Sequence, residues 1–204
     1  MPKDKAQSHQ RVLDAAKAEF TRCGFEKASI RIIGQRAGMT SAGLYRHCKD
    51  KEDLFCQVLA PLMAELDESL HTHKAKSDQA LETDAGGGEA FDNGVITIIR
   101  RLSATYRAEM KLLLSCAAGT RYEHYLHDLV KTQEVEMFAA LAALKAQGQP
   151  VQEISEKEMH MLLSAYMTAM LEPIIHDYTE EETETCLATV QDFFIPGWMK
   201  IMGF

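Results

Sequence analysis

Between Ser29 and Lys51 the chain gathers side chains suited to phosphates and base edges: Ser29, Arg31, Thr40, Ser41, Tyr45, Arg46, His47 and Lys51, with Ala42 and Gly43 among them. Hydroxyls, a phenol, an imidazole and an ammonium hold phosphate oxygens, which sets register on a duplex without reading its sequence. Ser29, Thr40, Tyr45, His47 and Lys51 are the candidates for that task, Lys51 aided by the backbone amides of the helix that follows it. Arginine can grip guanine with two hydrogen bonds and a methyl can meet thymine, so Ser41, Ala42, Gly43 and Arg46 are the candidates for base edges. Arg31 is a further one from the preceding helix. The alternative for each is an ordinary solvated helix residue.

Two short helices around a turn would position these groups. Ser29 is a capping residue ahead of Ile30, Ile33 and Ala37, whose spacing gives one apolar face. Gly38 then ends the helix in the left-handed conformation, and Met39 plugs the turn from below. Thr40 restarts the chain as a second cap. The helix from Ser41 to about His47 has Leu44 as its one strong core residue and is too short to stand alone. Gly43 within it costs about 1 kcal/mol relative to alanine, which points to close approach of a partner at its backbone. This is the pattern of a helix-turn-helix that enters double-stranded DNA.

Charge gives separate support. Residues 1–51 hold 11 Lys/Arg against 5 Asp/Glu, a balance of +6, while 52–204 hold 11 against 25, a balance of −14. A basic module on an acidic body is the footprint of a local nucleic-acid contact.

The run Arg11 to Phe55, RVLDAAKAEFTRCGFEKASIRIIGQRAGMTSAGLYRHCKDKEDLF, closely resembles the DNA-binding domain of the TetR (tetracycline-repressor) family of bacterial transcriptional regulators. The features that carry the resemblance are Ala15, Ala16 and Phe20 on the leading helix, the Gly24, Phe25 corner, Ala37 with Gly38, and Leu44, Tyr45, Arg46, His47 followed by Lys51. Gly34 departs from the alanine common in the family, and Cys48 from the phenylalanine that normally follows the histidine. Both fall on the packing side. The resemblance implies an all-α fold, with an N-terminal three-helix helix-turn-helix domain (1–52) and a C-terminal helical effector-binding and dimerisation domain (53–204). It also implies a homodimeric repressor released from operator DNA by a small molecule.

The remaining sequence reads as helical throughout. A fourth helix follows Asp50, with Leu54, Phe55, Val58, Leu59, Leu62, Leu66 and Leu70 as its apolar positions. Residues 75–90, with Gly86, Gly87 and Gly88, read as a solvated linker and not a phosphate loop, since no Gly-Lys-Ser/Thr follows. Helical patterns resume over 91–105, 107–118 and 122–147, where Gly148 and Pro150 end them. Ser155 with Glu158 and Thr179 with Glu182 have capping-box spacing. They start two last helices, Glu156 to Asp177 and Glu180 to Met202. The stripe Met159, Leu162, Leu163, Tyr166, Met170, Ile174 and the stripe Leu187, Val190, Phe193, Phe194, Trp198 either face the monomer's own core or pair with a second copy. In the resembled family such helices form a four-helix dimer interface, and FFIPGWMKIMG is similar to C-termini of several relatives.

Met110, Met137, Tyr166 and Met170 are candidates to line an adaptable ligand cavity, with plain core packing as the alternative. No apolar run approaches the roughly 20 residues of a membrane span, and no signal-peptide core follows Met1, so a cytoplasmic protein is expected. Five scattered cysteines point to reduced thiols, without a disulfide framework or zinc finger. His71 with His73 and His124 with His127 each lack a third metal ligand, and Glu172 reads as a helix-end carboxylate. No cofactor, catalytic constellation or metal site is expected. Two rival readings remain: a thiol-redox regulator acting through Cys48 or Cys23, and an all-helical enzyme with a relic head.

Overall fold

The structure, a computed structural model, describes residues 2–82 and 94–204. Among these it contains α1 (Pro2–Lys27), α2 (Ile30–Arg36), α3 (Ser41–Leu44), α4 (Lys51–Glu82), α5 (Gly94–Ser115), α6 (Tyr125–Ala146), α7 (Glu156–Ile175) and α8 (Glu180–Met202), and no strand. The all-α architecture is the one expected, with an N-terminal helix-turn-helix followed by a larger helical part.

The chain forms two compact units, Met1–Glu65 with Tyr106–Tyr125, here called the head, and Leu66–Thr105 with Leu126–Phe204, here called the body. This differs from a cut at residue 52. The first half of α4 belongs with the head because its apolar face completes that core: Leu54, Phe55, Leu59 and Leu62 are fully buried. Phe55 meets Phe20 and Phe25 edge-on, with ring centroids 5.0 and 5.5 Å away, in the arrangement that aromatic quadrupoles favour.

In the head, Val12, Ala16 and Phe20 form the buried stripe of α1. Gly24, at φ +75, interrupts that helix and makes the corner expected there. Phe25 then donates its N–H to the Cys116 carbonyl at 2.9 Å. The Lys17–Glu109 ion pair and a 3.0 Å bond from the Arg121 N–H to Glu52 also tie segment 106–125 into the head.

In the body, α4 continues as helix through residues 75–82, where the composition suggested a linker. The local helix propensity of Lys, Gln, Ala and Leu prevails there over the low apolar content. Residues 83–93, with the three consecutive glycines, lie outside the described residues. The break expected between helices over 91–105 and 107–118 is present: Tyr106, at a non-helical φ −123 and ψ 27, interrupts α5 there. Both capping boxes are closed in both directions, Ser155 with Glu158 and Thr179 with Glu182. Their reciprocal bonds hold both carboxylates below the usual range. α7 and α8 pack on each other.

Candidate nucleic-acid interface and a cavity in the body

The turn between α2 and α3 is built by local bonds. Gly38 adopts φ +73, and the Met39 N–H reaches back to the Gly34 carbonyl at 2.9 Å. Thr40 caps α3 with its hydroxyl, which accepts from the Gly43 N–H at 3.1 Å. Leu44 is fully buried and anchors α3 to the core. The recognition segment is shorter than expected, since regular helix ends at Leu44 and Tyr45–His47 form a turn. Gly34 has a definite reason: a methyl there would lie 3.1 Å from the Met39 carbonyl oxygen.

One buried carboxylate organises this motif, and its spacing did not announce it. Glu19 on α1 is fully buried. Arg22 donates to it through Nε and Nη2 at 3.1 and 2.8 Å, and Arg36 of α2 lies 3.6 Å away. These contacts, the bond to Arg22 first, hold its carboxyl below the usual range, although burial opposes them, and a backbone bond from Ser29 contributes. Glu19 therefore stands near the N-terminus of α2, where a negative charge is favoured. Ser29 occupies the N-cap position, but its own side chain makes no capping bond.

The expected DNA-facing residues separate by exposure. Arg31, Thr40, Ala42, Tyr45 and Arg46 are exposed, and Ser29, Ser41 and His47 are half-buried. Gly43 is buried, and the groups nearest a methyl placed there are Thr40, Met39 and Arg46 of the head itself. These lie 3.4 to 3.7 Å away, ordinary contact distances, so packing within the head does not itself require a glycine at this position. Lys51 is reassigned. Its ammonium donates to the carbonyls of Phe25, Glu26 and Ala28 at 2.8, 3.0 and 3.4 Å, and it lies 4.4 Å from the centre of the Phe25 ring. Three donors on three carbonyls fill its hydrogen-bonding capacity, so it ties α4 to the end of α1. His9 is an added member of this surface. Its ring stacks on His47 with centroids 5.6 Å apart, bringing α1 beside the recognition turn; the distance in sequence hid it.

Cys48 is buried, and desolvation with the nearby Asp53 and Asp50 pushes its thiol up to about 11. It is a neutral packing group at neutral pH, which removes the accessible thiolate required by a redox switch at this position.

The body holds a cavity of about 120 Å³. Its apolar wall is formed by Tyr166, Trp198, Met137, Met167, Met199 and Met202. Its polar side carries His73, Lys74, Asp78, Gln133 and Glu136. Two of the four candidate lining residues, Met137 and Tyr166, are there. Met170 is fully buried core, and Met110 is buried in the head. The methionines of α8 were missed because that helix reads from sequence as an assembly surface. Burial pushes the Tyr166 phenol up to about 12, so it stays protonated. Among the described residues no three potential metal ligands gather; His73 packs against Gly94, and His127 meets the ring of His160 at 5.9 Å. Glu172 pairs with His176 at 2.9 Å, away from the cavity lining. Among the described residues, no helix is long and apolar enough to cross a membrane.

A capped helix-turn-helix, presenting exposed arginines and a tyrosine from a basic segment, defines a DNA-binding protein. Residues 12–58 match the model of the bacterial regulatory proteins of the tetR family. The fold agrees along the whole chain. NalD, the secondary repressor of the MexAB-OprM multidrug efflux pump in Pseudomonas aeruginosa, superposes with a TM-score of 0.53 at 13% identity, over 98% of this chain and 97% of NalD. A protein of Pseudomonas aeruginosa PAO1 described as a transcriptional regulator gives 0.53 at 17% identity, over 97% and 95% of the two chains. Residues 12–58 therefore carry the DNA-binding domain of the tetR family of bacterial regulatory proteins, and the chain as a whole shares the helical fold of these two proteins.

Proposed function

We propose that this regulator is a cytoplasmic homodimeric repressor that leaves its operator when a small molecule occupies the body cavity. The observation that carries this reading is the aromatic and methionine-lined cavity in the same chain as the helix-turn-helix. Both α4 and α5 contribute residues to head and body, which gives the two sites a continuous covalent link. An effector with unequal affinity for two arrangements of the dimer shifts their populations and moves the heads out of register with successive major grooves. A tenfold loss of operator affinity requires about 1.4 kcal/mol of coupling, and the coupling is reciprocal. Repression follows most directly, since an occupied operator excludes other proteins from the same DNA.

Dimerisation is supported by apolar side chains left outside the monomer core. Phe193 on α8 is 76% exposed and Met161 on α7 is 60% exposed. In this reading Arg31, Thr40, Ser41, Ala42, Tyr45, Arg46, His47 and Ser29 face the duplex, with Arg46 and Arg31 as base readers. Selection of bound fragments from genomic DNA yields the operator and its half-site spacing. Specific binding should weaken steeply with salt, and sedimentation should give a dimer that Phe193→Asp converts to monomer. An effector whose affinity is unchanged by added operator sinks the induction mechanism and leaves DNA binding intact.

A further inference from the structure

We infer that the body cavity selects a compact amphipathic organic cation: one aromatic ring or a group of similar size, carrying a permanently charged or protonated amine. The inference rests on the effector reading given above and narrows it to a chemical class. Size comes first. A cavity of about 120 Å³ is close to the roughly 150 Å³ apolar void that accepts one benzene ring. The wall suits such a ring. Tyr166 and Trp198 stand at 70° to each other with centroids 6.2 Å apart, and the surrounding methionines adapt their shape. Tyrosine and tryptophan faces also attract cations through their quadrupoles.

The sign of the charge follows from the polar side. Lys74 lies 3.3 Å from Asp78 and 3.9 Å from Glu136, so two carboxylates share one ammonium. Gln133 donates to Glu136 at 2.9 Å without changing the count. That side therefore sets two carboxylates against one ammonium. An anion reaching Lys74 meets both carboxylates, whereas a cation finds an uncompensated one. The balance of −14 over residues 52–204 adds a long-range field of the same sign.

Trp198 is the only tryptophan, so its emission in the full-length protein reports on this cavity. Three probes of matched shape separate charge from size: benzyltrimethylammonium, its neutral isostere neopentylbenzene, and benzylsulfonate. The cation should change Trp198 emission saturably, with an affinity at least tenfold above the other two. Glu136→Gln should erase about tenfold of the cation's affinity and leave that of neopentylbenzene unchanged, which also shows that the variant keeps its cavity. Equal affinity for all three, preference for the anion, or no saturable binding of the cation overturns the assignment. Operator titration in parallel separates the two readings. A cation that fills the cavity without altering operator affinity defeats effector release alone, while release by a neutral or anionic compound defeats the cation assignment alone.

Discussion

The head and the body handle their charged side chains in opposite ways. In the head, the Glu19 carboxylate has two guanidinium partners and a backbone bond, and the Lys51 ammonium is saturated by three carbonyls. At the body cavity, Asp78 and Glu136 divide a single Lys74 that is nearly half exposed, beside side chains that repack easily. A surface that must match DNA within a fraction of an ångström benefits from preorganisation. A site that responds to a ligand needs groups still available to it. The comparison teaches that charged residues near a functional surface are not by default its contact residues: several here build the frame and leave contact to their exposed neighbours.

Four substitutions in the head test how far that frame extends. Leu44→Ala should have the largest effect, about 2–5 kcal/mol of stability, measured by urea unfolding, together with loss of operator binding. A cost below about 1 kcal/mol would mean that α3 is not held by its one core residue. Lys51→Met should cost about 1–3 kcal/mol by orphaning carbonyls at the end of α1, while the salt dependence of DNA binding keeps its slope. If the slope instead falls by about 0.9 per decade of salt, Lys51 holds a phosphate and the division between frame and contact fails at that residue.

Arg46→Ala should do the reverse. It is exposed, so stability should stay within about 0.5 kcal/mol, while specific operator affinity falls by about 1–3 kcal/mol and discrimination relaxes at one base pair. Unaltered discrimination would place Arg46 off the bases. Glu19→Gln should have the smallest effect, about 1 kcal/mol near neutral pH, and it carries a pH signature. Because the folded carboxyl lies below its ordinary range, its contribution is complete above that range and is lost as pH falls through the folded value. Urea unfolding of wild type and variant should therefore converge in acid. A gap that widens in acid contradicts the pairing with Arg22.

What could be read along the chain was whatever depends on residues within about four positions. The Thr40 cap, the left-handed Gly38 and both capping boxes follow from bonds between near neighbours, and each appears where spacing placed it, while the Gly24 corner appears where the family resemblance implied it. The family motif is of the same kind. Cys48 is also instructive: its position on the packing side was legible, but its raised thiol depends on the burial that the fold imposes.

The sequence by itself therefore determined the fold class, the helix-turn-helix and the residues at its exposed turn, because helix starts, stops and faces are set by local backbone bonds and a 3.6-residue period. Tertiary structure alone decided the depth of each side chain and its distant partners. Periodicity places Tyr166 and Met170 on the apolar stripe of α7, yet only packing against α6 and α8 makes the first cavity wall and the second solid core. Lys51 reaches carbonyls 23 to 26 residues earlier in the chain, and Met110 is enclosed in the head rather than the body. A helix pattern gives direction around an axis. Which neighbour fills that direction is settled when the helices close on one another.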